Sequence, residues 1–299
     1  MCKLAKQVLE TAVYNFKMWK GNVRIITVFI LAFILCFLLS DKIVSFAVDN
    51  DMSLQMLEAF ILSFGDSNSI LLSSLLLFLL YADIPFVTSV TPFFLVRENR
   101  RVWVLGQFVY IVASTFLYLC FILVSTCILS AAYSFPKNMW SRTVAVLAYS
   151  EEGNVLSLPI DVKTLEMSRP LYCMVHIFLL MLFYTLTMMF IMLFFSLWKG
   201  TVAGFVSGVV FNIYGLLLNP QQLQKILDLP EQAFYLARVY LGWISPLNQA
   251  TFSMHNFGYD RLPKLWQTYG IFVVILTVLL LLTVKCMRQY SFQFRGTER

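Results

Sequence analysis

Charge is scarce in this chain. Only 13% of its 299 residues are Asp, Glu, Lys or Arg, and 60% are hydrophobic, whereas a soluble domain carries about 25% charged residues. The apolar excess lies in long blocks, not in an amphipathic pattern, which excludes an ordinary soluble globular protein. Other absences narrow the chemistry. There is no GxxxxGK[ST] loop, so the chain is read as having no P-loop ATPase of its own. Histidine occurs twice, at His176 and His255, and no HExxH is present, which argues against a zinc protease. No GxSxG elbow occurs either. The cysteines Cys2, Cys36, Cys120, Cys127, Cys173 and Cys286 show neither metal-clip spacing nor a disulfide framework. The expectation is therefore no catalytic constellation, no metal and no cofactor bound by this chain.

What is present is a set of six apolar stretches, at approximately 23–40, 70–90, 103–133, 171–198, 201–218 and 265–284. About 20 apolar residues cross a hydrocarbon core about 30 Å thick, and each stretch reaches or approaches that length. The fold class expected is all-α: a polytopic helical membrane protein with six transmembrane helices. Residues 1–22 are read as an amphipathic interfacial helix and residues 23–299 as the membrane-spanning domain. The first span is too long and too far from the N-terminus for a signal peptide.

The charges alternate between ends. The N-terminal segment to Arg24, the connection holding Arg97, Arg100 and Arg101, the Lys199-Gly200 connection and the C-terminal tail together carry thirteen bases and three acids. The connections 41–69, 134–170 and 219–264 carry nine bases and twelve acids. Cytoplasmic loops are enriched in Lys and Arg, so both termini are placed inside, with three sizeable external loops. The net charge of +6 is accounted for by this asymmetry, and the bilayer, not nucleic acid, is the expected partner surface.

Before the first span, Leu4, Val8, Leu9, Ala12, Val13, Phe16 and Trp19 recur at helical spacing, with Lys3, Lys6, Lys17 and Lys20 largely off that stripe. This fits a helix lying in the headgroup layer, against the simpler alternative of a basic topogenic leader. Asp83, in Tyr81-Ala-Asp-Ile-Pro-Phe86, is the one acid well inside a span. It is either a proton or cation site or, the reading preferred here, a polar residue near a Pro85-kinked helix end. Gly200, Gly204 and Gly208 form two small-xxx-small steps that let a neighbouring helix approach closely; packing within the chain and packing between subunits are equally open. Asn219-Pro220 and Ser245-Pro246 punctuate the last connection, where short helices are expected over 221–229 and 230–241. Residues 143–147 are read as a short strand or a helical turn. His176 is expected to be a packed, hydrogen-bonded residue and His255 an external-loop residue. Among the polar clusters, Arg97-Glu98-Asn99-Arg100-Arg101 is the best functional candidate, set against ordinary positive-inside anchoring.

An amphipathic leader, six spans, an Arg-Glu-rich segment after the second span and a Gly-rich fifth span followed by short helices ending near Leu241-Gly-Trp-Ile-Ser-Pro-Leu247 resemble the permease subunits of type-two ABC exporters. The resemblance covers the whole chain and is architectural. It implies that Phe94, Arg97, Glu98, Arg100 and Arg101 lie on a coupling helix that docks on a separate ABC ATPase subunit. It implies a second permease chain, like or unlike, with ATP and Mg bound by the ATPase partner. It places Gly200, Gly204 and Gly208 at a translocation seam. Family substrates range from lipids and glycans to peptides and drugs, and nothing in this sequence names one. With no organelle-targeting leader read, the implied location is a bacterial plasma membrane. The alternatives kept are an ion-coupled carrier or channel and a membrane-embedded peptide-immunity protein.

Overall fold

The computed structural model describes residues 2–82, 84–85, 99–150, 153, 160–218, 220–228, 230, 233–258 and 260–287. In chain order, α1 is Cys2–Lys17, α2 Val23–Asp49, β1 Leu54–Gln55, α3 Glu58–Phe64, α4 Ser67–Leu80, α5 Arg100–Ser130 and β2 Ser134–Phe135. There follow α6 Arg142–Tyr149, α7 Val162–Met167, α8 Pro170–Lys199, α9 Thr201–Leu217, α10 Pro220–Ile226, α11 Phe234–Ile244, α12 Pro246–Ala250 and α13 Leu265–Cys286. Among the described residues the sole sheet is the parallel pair β1–β2.

Val23–Asp49, Arg100–Tyr133, Pro170–Lys199 and Leu265–Cys286 are each long and apolar enough to cross a membrane. Two bent pairs pass the same test: α3 with α4, at 87°, and α9 with α10, at 83°. The protein is thus a largely helical chain with four helices, or up to six if each bent pair is one span, that are long and apolar enough to cross a membrane. By itself α4 is about 21 Å long at 1.5 Å per residue, short of a full crossing, whereas α9 reaches about 26 Å. The bend after α3 falls at Gly65, where a Cβ would lie 2.6 Å from the Ile61 carbonyl oxygen; glycine tolerates that turn of the chain and a larger residue does not.

The apolar stretch expected over 23–40 continues as helix to Asp49. The reason is a narrow buried stripe at Val28, Ala32, Cys36, Ser40, Ile43 and Ala47, spaced three or four apart so that all lie on one helix face. Asp41 and Lys42 sit on the exposed face of this continuation, so they do not end the helix. The second apolar stretch, expected over 70–90, forms helix over Ser67–Leu80; Asp83 and residues 86–90 lie outside the described residues.

The helices alternate in direction around α8, which packs on α9, α13, α5, α12 and α3. We call the end of the bundle where α2, α5 and α9 begin the proximal end, and the other the distal end. At the proximal end α1 lies along the start of α5. Asn15 donates to Gln107 Oε1 at 3.1 Å, and Trp19 Nε1 donates to Tyr110 OH at 2.7 Å. Gly106 permits the contact, because a Cβ there would meet Thr11 Cβ at 2.6 Å. The face of α1 against α5 is thus small and polar, with Thr11, Ala12 and Asn15 buried, while Leu4, Leu9 and Val13 remain exposed. A helix with one packed face and a second, apolar, open face suits the headgroup boundary of a bilayer.

The distal end is closed by the connections. Glu58 is wholly buried and accepts the backbone N–H of Gln55 at 2.8 Å and of Ser141 at 2.7 Å. It therefore ties the end of β1 to the start of α6, whose first turn is capped by Ser141 accepting from Val144 N. Residues 143–147, open between strand and helix in the sequence, are helical. The 219–264 connection holds helices α10 and α11, close to the expected 221–229 and 230–241.

Candidate functional site

Two places gather the residues that sequence reasoning singled out. The first is the seam between α8 and α9. Pro170 at the first turn of α8 fits because its missing N–H would be unpaired there in any case. At the other end, Gly200 alone separates the helices, with φ +98°, a left-handed conformation that glycine adopts readily. From there α9 runs back along α8 through its glycines. A Cβ on Gly204 would lie 2.7 Å from the Met192 carbonyl oxygen, and one on Gly208 would lie 2.6 Å from Phe78 Cε1 and 2.7 Å from Met192 Cγ. Gly204 and Gly208 therefore face α8, and Gly208 also α4, within the same chain. Of the two alternatives the sequence left open, these contacts are intrachain. Gly200 has open space around it.

Beyond the glycines the seam turns polar. Asn212 is about 17 Å along α9 from Thr201 at 1.5 Å per residue, near mid-span, and is 3% exposed. Its Oδ1 accepts from Tyr184 OH on α8 at 2.6 Å and from Ser74 Oγ on α4 at 3.3 Å. Next to Ser74 on α4, the Ser73 carbonyl accepts from Tyr118 OH on α5 at 3.0 Å. Tyr81, just past α4, donates to the Ile111 carbonyl at 3.1 Å and lies 2.6 Å from Ser114 Oγ and 2.8 Å from Thr115 Oγ1. Polar groups buried in an apolar bundle cost free energy unless they are paired, and these pair across four helices.

Sequence reasoning missed this network. Its members are common hydroxyl and amide residues separated by up to 138 positions, and no local motif links them. The one available signal was an Asn in the middle of an apolar stretch, because polar residues within spans find partners on neighbouring helices. Chemically the network holds helices in register. Among the described residues no Asp, Glu, Lys or Arg takes part in these bonds.

The second place is the proximal entrance to α5. Asn99 caps the helix, its Oδ1 accepting from Arg101 N at 3.4 Å. Arg100 and Arg101 are exposed in the first turn. Cations there oppose the helix macrodipole, whose N-terminal end is positive, so helix stability does not explain them. Phe94, Arg97 and Glu98 of the same cluster lie outside the described residues, as does Asp83.

The histidines lie near the distal end. His176 Nδ1 is 2.6 Å from Tyr269 OH, and its ring stacks on Phe252, the packed role expected. His255 lies in the 219–264 connection, the loop in which the sequence places it. It is wholly buried, with Nδ1 3.1 Å from the Thr251 carbonyl and Nε2 3.0 Å from Thr268 Oγ1. Burial holds its pKa down, to about 4, so the neutral ring donates from Nδ1 and accepts the Thr268 hydroxyl.

No family model, curated protein or solved structure matches this chain. The functional reading rests on the residues and their arrangement.

Proposed function

We propose that the chain is the membrane-spanning permease subunit of an ABC exporter, moving its substrate with ATP hydrolysed on a separate ATPase subunit. The observation that carries this reading is the arrangement at the proximal end. There α1 is pinned along α5 through Asn15–Gln107 and Trp19–Tyr110, and exposed Arg100 and Arg101 open α5 against its own dipole. In the sequence, Arg97 and Glu98 directly precede the Asn99 cap of α5. An exposed cationic edge beside a pinned helix fits a docking face for an acidic partner surface.

In this reading the proximal end and both termini face the cytoplasm of a bacterial cell, in the plasma membrane, as the basic excess at that end supports. Six spans result when each bent pair counts as one. Phe94, Arg97, Glu98, Arg100 and Arg101 form the ATPase-coupling segment, and ATP and Mg belong to the partner. A second permease chain completes the transporter. A permease needs two conformations whose balance a partner shifts, not catalytic residues of its own.

The test is a mild-detergent purification of the tagged full chain from its native membrane, with ATPase activity assayed in the eluate. Co-purification of a P-loop ATPase, lost when Arg97, Arg100 and Arg101 are reversed to Glu, is the expected result. An eluate without ATPase activity overturns the reading in favour of a stand-alone carrier, channel or immunity protein.

A further inference from the structure

The distal end holds a cavity of about 570 Å³, within the size range of about 300–1,000 Å³ typical of small-molecule sites. Three pieces of chain wall it: the start of α7, the first turns of α11 and residues 260–262. The wall is braced. Lys163 of α7 donates to the His255 carbonyl at 2.9 Å and pairs with Asp260. Asn256 also donates to the Asp260 carbonyl. On the far side Gly242 lets Leu262 lie against α11, since a Cβ there would sit 2.8 Å from Leu262 Cδ2. Ala237 and Leu241 are buried with Leu223 of α10, which fixes the rotation of α11 and leaves Arg238 lining the cavity.

The charges lining this space do not cancel. Lys163 and Asp260 satisfy each other. That leaves the guanidinium groups of Arg238 and Arg261 opposite the single carboxylate of Asp161. Neither guanidinium has a hydrogen-bond or ion-pair partner among the described residues. Two forked donors converging on one space suit a tetrahedral oxyanion, which accepts bidentate bonds from Arg. The surroundings indicate where that anion comes from. On α11, Tyr235, Tyr240 and Trp243 are exposed large side chains of the kind that settle at headgroup level, and Val239 and Leu262 add an apolar lining.

We infer that this cavity is a phosphate-binding site, with Arg238 and Arg261 holding the phosphate of a lipid headgroup at the membrane boundary. Asp161 stands where it would meet an amine on the same headgroup and turn away a second phosphate. The site is independent of the permease reading, because nothing in it depends on a partner ATPase.

The experiment uses the full chain in neutral detergent and isothermal titration with two probes, inorganic phosphate and dioctanoyl phosphatidylethanolamine, whose headgroup carries both a phosphate and an amine. Compared with it are the Arg238→Ala/Arg261→Ala double variant, the Arg261→Ala single variant and Lys225→Ala, an exposed cation outside the cavity. Both arginine side chains are exposed, so the variants should elute as the parent does on size exclusion. The expected result is saturable binding of the headgroup probe that weakens at least tenfold in the double variant, less in the single one and not in Lys225→Ala. Headgroup binding without inorganic phosphate binding assigns the site to lipid, and equal binding of both assigns it to phosphate itself. Binding of neither probe, or equal affinity in parent and double variant, overturns the inference.

Discussion

The helices α8 and α13 are equally apolar candidates for crossing a membrane, yet they occupy opposite environments. Of their most apolar stretches, 72% of α8 and 11% of α13 is buried within the protein. The difference lies in the polar residues. On α8, Tyr184 reaches Asn212 on α9, and Ser196 and Met192 meet the glycines of α9. On α13 beyond its first turns, Thr277 and Thr283 bond to their own helix, at the Val273 and Leu279 carbonyls, while Val274 and Leu281 stay exposed. Lipid is as apolar as leucine, so apolar side chains do not choose between lipid and protein; small residues and cross-helix hydrogen bonds do. Apolar length marks what enters the membrane, and the polar and small residues within it mark what packs inside the protein.

The most severe way to break this comparison is to fill the seam. Gly208→Leu drives a side chain into Phe78 and Met192 and should abolish the monodisperse folded species on size exclusion in detergent. Gly270→Leu on α13, where a Cβ meets nothing within 4 Å, should elute as the parent does. Equal behaviour of the two variants would remove the distinction.

Next in size is the tether that fastens the start of α13. His255, with its folded pKa near 4, resists protonation more than it would in the unfolded chain, where it takes a proton near 6.5. Its contribution is therefore fully present above pH 6.5 and is lost as the pH falls towards 4, by about 3 kcal/mol from the linkage relation. Thermal unfolding followed from pH 7 to 4.5 should show that decline, and a His255→Asn variant should flatten it.

Smaller still is the difference between hydroxyls. Tyr184→Phe on α8 should cost about 0.6 kcal/mol, the average measured for interhelical bonds in membranes, and at most about 1.7 kcal/mol. It leaves Asn212 with Ser74 as a remaining donor. Thr277→Val on α13 should change stability by less than about 0.5 kcal/mol, as surface substitutions do. Denaturant titration of both variants measures the contrast, and a costlier loss at Thr277 would reverse it.

Much of this architecture was legible in the residues. The short helix after Asn219-Pro220 and the close-packed face at Gly204 and Gly208 were marked by residue type, whereas Gly200, of the same glycine series, stands in open space between α8 and α9. What escaped reading has physical reasons. The end of α2 was hidden because Asp41 and Lys42 resemble the close of a span, while Ile43 and Ala47 carry the buried stripe past them on the other face. The Asn212 network joins residues brought together only by tertiary packing. Glu58 reads as a loop acid, and its role depends on N–H groups of Gln55 and Ser141, the second 83 residues away. The burial of His255 within its loop has no local signal, because the Thr268 that covers it lies 13 residues away.

The tightness of the α8–α9 pair has a mechanical consequence. With one residue between the helices and backbone against side chain along their contact, the hairpin has no slack in which one helix slides past the other. Any movement the protein makes carries α8 and α9 as a single rigid plank. The joints must then lie at that plank's borders: α5 meets α8 through rings such as Phe108 on Phe190, and α13 meets it through Phe183 on Phe272, with the His176–Tyr269 bond near the distal end as the pivot.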